Sequence, residues 1–136
     1  MQANKIDRVT QKKQCIQDCL DCHRVCQEMA TYLHAEGRQA AANHVRLLLD
    51  CAALCQASAD FMASDSVLQG HFYSACAEIC PRCAQECERF KSNVQMKVCA
   101  DTCRRCAESC RQMVIKPAVN PGPRPEWIDD LARSTS

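Results

Sequence analysis

The sequence predicts an all-α fold, an antiparallel up-down-up-down four-helix bundle with a cysteine-lined core. Three observations carry that expectation. All fourteen cysteines obey one spacing, C-x3-C-x2-C-x3-C. Steps of four, three and four keep the members of a block within an arc of roughly 60° on a helix, whereas on a strand positions three apart face opposite ways. Paired head to tail, successive blocks also reflect about points rich in Gly, Asn and Ser, the residues that helix ends and turns favour.

The first helix, expected over 5–36, carries Cys15, Cys19, Cys22 and Cys26. A turn centred at Gly37-Arg38-Gln39 leads to a second helix over 40–64, with Cys51 and Cys55 followed in the stripe by Ser58 and Met62. The next turn is expected at Gln69 beside Gly70, and the third helix, 71–91, carries Cys76, Cys80, Cys83 and Cys87. Pro81 within it removes one backbone hydrogen bond and is expected to kink the helix without ending it, because the stripe stays in phase on both sides. A last turn centred on Asn93 opens the fourth helix, 95–115, with Cys99, Cys103, Cys106 and Cys110. Four layers follow from level pairing: Cys26/Cys51/Cys87/Cys99, Cys22/Cys55/Cys83/Cys103, Cys19/Ser58/Cys80/Cys106 and Cys15/Met62/Cys76/Cys110.

The bundle is expected to occupy 1–116 and a Pro-rich tail 117–136, where Val119-Asn120-Pro121-Gly122-Pro123-Arg124-Pro125 cannot continue a helix. Trp127, Ile128 and Leu131 beyond it have the spacing of a short amphipathic turn. With 17 Lys+Arg against 16 Asp+Glu the net charge is +1, and no basic run interleaves with aromatics, so nucleic acid is not an expected partner. No apolar stretch in residues 1–8 resembles a secretion signal and no run approaches a membrane span, so the expected location is the cytoplasm.

A single buried Cys is usually a small hydrophobe. Fourteen in sixteen stripe positions are not explained that way, since bundle cores ordinarily use Leu, Ile, Val and Ala. Disulfides fit poorly because neighbours in a stripe sit on one helix with parallel Cα–Cβ vectors. Cys80-Pro81-Arg82-Cys83 has thioredoxin-like spacing without the βαβ context. Iron–sulfur ligation is suggested by Cys103, Cys106 and Cys110, but such ligands usually lie in loops, and layers about 4.5–6 Å apart by helical rise are too close for separate cubanes. A metal held by many thiolates remains. Ligand softness favours Cu(I) with multiple ions, and zinc second, because zinc wants closed tetrahedra while Ser58 and Met62 interrupt the layers. Neither a nucleophile–base pair nor a phosphate loop emerges, so the expected protein is a binding protein rather than an enzyme. Zinc binding, iron–sulfur binding and thiol redox stand as alternatives.

The repeated C-x3-C-x2-C-x3-C motif on antiparallel helices resembles the bacterial copper storage proteins, in particular their cytosolic branch. The resemblance spans residues 1–115 and implies Cu(I) storage, the fourteen cysteines as ligands, assembly into a homotetramer and copper ions as the partner, with delivery by a copper chaperone.

Extending the stripes one step gives Met29/Leu48/Phe90/Met96 at one end, an apolar plug backed by Leu33 and His44. The other end gives Lys12/Asp65/Tyr73/Met113, polar, with Met62 just inside and His71 nearby. Thioethers are neutral soft donors, so Met62 and Met113 are candidate ligands at a copper-admitting end, and His44 is a candidate at the plugged end. His23 and His34 are expected at the surface.

Overall fold

The computed structural model describes residues 2–37, 41–90 and 92–115. They form four helices: α1 (Gln2–Glu36), α2 (Ala42–Ala63), α3 (Gln69–Glu88) and α4 (Val94–Ile115). No strand occurs among the described residues. The tail expected at 117–136 and the Arg38-Gln39 part of the first turn lie outside them.

Polar i,i+4 pairs support the solvent faces: Gln17 to Asp21 and Gln56 to Asp60, each at 2.9 Å, and Arg24 to Glu28 at 3.2 Å. Gly37, at φ 66°, follows α1, and its N–H donates to the His34 carbonyl at 3.1 Å. A glycine takes this left-handed position without a Cβ penalty. At the start of α4 the Asn93 side chain accepts from the Met96 N–H at 3.1 Å, an N-cap at the expected turn centre. Pro81 lies inside α3, which continues through it to Glu88.

The α2–α3 reversal departs from expectation. It runs over 64–68, before Gln69, and Gly70 is already in the first turn of α3. The cause is a Schellman closure of α2: the Ser66 N–H donates to the Phe61 carbonyl at 3.0 Å and the Asp65 N–H to the Met62 carbonyl at 3.1 Å. Asp65 occupies the left-handed position at φ 54°, where glycine is usual. A short Asx side chain tolerates that conformation better than most residues.

Neighbouring helices pack around a square, α1 on α2, α2 on α3, α3 on α4 and α4 on α1. They are antiparallel, since Cys15 meets Cys110 while Cys26 meets Cys99. All fourteen cysteines, Ser58 and Met62 are wholly inaccessible to solvent. Small buried residues flank the sulfur stripes: Ala30, Ala52, Ala59, Ala84, Ala100 and Ala107. Buried Asp18 pins α1 to α4 by accepting from Gln14 and from the Ser109 hydroxyl, and Arg104 grips Glu88 with two hydrogen bonds, at 2.6 and 3.3 Å, joining α3 to α4.

Candidate metal centre

The C-x3-C-x2-C-x3-C stripes turn inward because each helix has a polar outer face and only thiols, Ala and a few larger apolar groups to bury. Along α1 and α4 the sulfurs interlock in a zigzag. Cys110 lies 3.6 Å from both Cys15 and Cys19, Cys106 lies 3.6 Å from Cys19, and Cys103 lies 3.6 Å from both Cys22 and Cys26. Cys99 closes the row at 4.0 Å from Cys26. Every level partner expected between these two helices is therefore in contact.

Across the bundle, Cys80 lies 3.8 Å from Cys51, 3.6 Å from Cys55 and 3.7 Å from Cys106. Cys51 reaches Cys22 at 3.8 Å, Cys55 reaches Cys106 at 3.8 Å, and Cys83 reaches Cys26 at 4.0 Å. Ser58 fills the gap foreseen beside Cys19, with their side-chain heteroatoms 3.8 Å apart. The Cys76 thiol points toward the Leu54 carbonyl, 3.9 Å away. None of the fourteen cysteines is in a disulfide.

The expected layers need correction where α2 meets α3. Cys51 is not level with Cys87 but faces Cys80, and the partner of Cys87 is His44, whose Nε2 lies 3.3 Å from the Cys87 sulfur. The early reversal at Asp65 has slid the two helices past one another, so the thiols form a continuous column rather than four flat squares. Three groups of sulfurs lie within 4.8 Å of one another: Cys22/Cys26/Cys51/Cys103, Cys22/Cys51/Cys55/Cys80 and Cys15/Cys19/Cys110. The two groups of four share Cys22 and Cys51. Separate closed tetrahedra cannot occupy both, whereas metals that accept bridging thiolates can.

Hydrogen bonds between neighbouring thiols shift members of the column in opposite directions: those with Cys103 lower the pKa of Cys22 and Cys51, and that with Cys106 lowers Cys76, while others are raised. Hydrogen bonding to Cys106 and burial push the Cys55 and Cys80 thiols up, and hydrogen bonding to Cys22, with burial, does the same for Cys103. A low-dielectric core disfavours the charged form, so metal must displace protons as it binds. Burial also lowers the pKa of His44, which leaves its ring neutral at physiological pH.

The two ends differ as expected in polarity but not in detail. At the first, Met29, Leu48, Met96 and Leu33 are buried, while Phe90 is 43% exposed and lies outside α3. Phe90 does not fill the plug; it stacks on His44, with centroids 5.5 Å apart and planes 6° from parallel. Sequence reasoning missed the His44–Cys87 pair because it took α2 and α3 as level. At the second end Lys12 and Asp65 form an ion pair. Met62 is fully buried beneath this end, Met113 and Tyr73 are half-buried against the core, and His71 is exposed. His34 is exposed, but His23 is half-buried, with Nδ1 2.7 Å from the Ala52 carbonyl, which makes it a link between α1 and α2.

Among the described residues no helix is long and apolar enough to cross a membrane. A family model described as copper storage protein matches residues 8–115. Among solved structures, the Nmul_A1745 protein of Nitrosospira multiformis is 38% identical, with TM-score 0.70, covering 78% of this chain and 96% of that one. The Cu(I)-bound copper storage protein BsCsp3 is 31% identical, with TM-score 0.71, over 76% of this chain and 98% of that one. A cytosolic copper storage protein from Streptomyces lividans, loaded with five coppers, is 26% identical, with TM-score 0.70, over 82% and 97%.

Proposed function

The chain belongs to the copper storage protein family, and on that premise we propose that it stores many Cu(I) ions in the cytosol on the fourteen thiols of its core. The observation that carries this reading is the sharing of Cys22 and Cys51 between adjacent groups of four sulfurs. Such sharing suits an ion that needs few soft ligands and tolerates thiolate bridges. Each incoming Cu(I) displaces thiol protons to solvent, and the bound charge is balanced by the thiolates created. The family is one of storage proteins, and the site has the character of a store: buried and redundant in ligands.

The uptake end is the one that carries Met62 and Met113. Their thioethers can pass Cu(I) inward without first losing a proton, beneath the exposed Lys12–Asp65 pair. A copper chaperone is the proposed donor, and a homotetramer the proposed assembly, which light scattering on the metal-free and loaded protein would test. The reduced protein, titrated anaerobically with Cu(I) against a competing chelator, should take up roughly ten or more ions per chain, at about one thiolate per ion. It should stay colourless and gain ultraviolet thiolate-to-copper absorption. Saturation at one to four equivalents would overturn storage and favour zinc or a single cluster, and a brown protein would favour iron–sulfur chemistry.

A further inference from the structure

The family match ends at residue 115, where α4 stops, and the sequence continues over 116–136. α1 begins at Gln2, but its Cys15 already meets Cys110 and its Lys12 pairs with Asp65 just beyond α2, so the first turns of α1 project past the end of the bundle. Relative to α2 the overhang spans residues 2–11, roughly 15 Å at about 1.5 Å per residue. Asp7, Arg8, Val9 and Thr10 in it are exposed. Val9 is 56% exposed, Val67 in the α2–α3 turn 69% and Val114 on α4 41%, so three large apolar side chains are open to solvent at one end. Half-buried Met113 and Tyr73 belong to the same end.

We propose that this end face is the docking site of the chain's own segment Glu126–Leu131, which folds back over the bundle from the end of α4. Trp127, Ile128 and Leu131 fall at helical spacing and give the segment one apolar side, matched to the three exposed valines. Charge matches as well. Glu126, Asp129 and Asp130 are the segment's charged residues and all are acidic, whereas Arg8, Lys12 and Lys13 outnumber Asp7 over residues 7–13 of α1. The connection is long enough: residues 117–125 carry four prolines and, extended at about 3.1 Å per residue, reach roughly 28 Å, against about 8–10 Å between neighbouring helices. The far end of the bundle is a full α4 away, 22 residues or roughly 33 Å, beyond that reach. Docked at the near end, the segment roofs Met62 and Met113.

Trp127 is the only tryptophan, so its fluorescence reports on this segment alone. In the metal-free, reduced full chain its emission should be blue-shifted and several-fold less open to acrylamide quenching than that of free tryptophan amide. Val9→Glu with Val67→Glu, on the receiving face, and Ile128→Ser with Leu131→Ser, on the segment, should each restore full quenching, with helicity unchanged by circular dichroism. A Trp127 as open as the free amide in the wild type, or equally shielded in both variants, would overturn the proposal. Shielding lost on dilution would overturn it too, by assigning the contact to a second copy. Stopped-flow Cu(I) uptake adds a readout that rests on the copper-storage reading with its mouth at Met62 and Met113: Ile128→Ser with Leu131→Ser should speed loading several-fold. Unchanged loading, with Trp127 shielded in the wild type and open in the variants, would uphold the docking and move the mouth to the other end.

Discussion

Cys22 and Cys51, with sulfurs 3.8 Å apart, form the common edge of both groups of four thiols in the core. One replacement on that edge therefore disturbs two groups. Cys22→Ser should lower saturating Cu(I) by two or more ions per chain, whereas Cys15→Ser, which touches only the terminal group of three, should lose about one. Native mass spectrometry at saturation compares them, and equal losses would argue that each thiol binds independently.

Ser58 sits in the stripe at full burial with the Cys19 sulfur 3.8 Å away. Ser58→Cys adds a thiol of nearly the same shape where the column has a gap, so stability should change by less than about 1.5 kcal/mol. Capacity should rise by about one Cu(I). A strongly destabilised variant with unchanged capacity would place residue 58 outside the metal path.

The metal-free, reduced protein should already be helical by circular dichroism, because neutral thiols pack as hydrophobes. Its stability should depend on alkaline pH. Cys55, Cys80 and Cys103 are held above the ordinary 9.0 of a thiol, while Cys22, Cys51 and Cys76 are drawn below it by hydrogen bonds with their neighbours; thiolates a few ångströms apart in a low-dielectric core repel one another and cannot all form, so above about pH 8.5 the unfolded chain loses protons that the folded column as a whole keeps. The stabilising contribution is fully present at pH 7 and is lost as pH rises. The melting temperature should fall by several degrees between pH 7.5 and 10, while the copper-loaded protein, whose thiolates are already formed, should hold its value. A flat profile for the metal-free form would contradict neutral thiols in the core.

Replacing both Met62 and Met113 by Leu should slow Cu(I) loading while leaving final capacity nearly unchanged, since every cysteine remains. Stopped-flow uptake at equal protein concentration measures it. An unchanged rate in the double variant, with slowed uptake on altering His44 or Met96, would place the mouth at the opposite end of the bundle.

Much of this molecule was legible in its cysteine spacing. The stripes dictate helices, short connections dictate antiparallel neighbours, and the head-to-tail symmetry of the blocks foretold the four level contacts between the sulfurs of α1 and α4, though not the diagonal ones from Cys19 to Cys110 and from Cys26 to Cys103. Asn93 was readable as a turn because its side chain has a local job, capping α4. The position of the α2–α3 turn was not readable: Gly70 looked like the reversal point, but Asp65 takes the left-handed conformation five residues earlier. That choice depends on the Schellman bonds to Phe61 and Met62, which leave no trace in periodicity, whereas the Lys12–Asp65 pair at the same end was already level in the extended stripes.

The sequence by itself determined which face of each helix turns inward, and with it the sulfur core, because a period of 3.6 residues sets rotation about a helix axis. It left open how far each helix slides along its axis. Translation by a turn returns equivalent residues to the same face, so one stripe is compatible with several registers. Only the tertiary structure decided among them. By closing α2 early it set Cys51 against Cys80 and His44 against Cys87, making a staggered column with an imidazole ring against its last thiol in place of four level squares of sulfur.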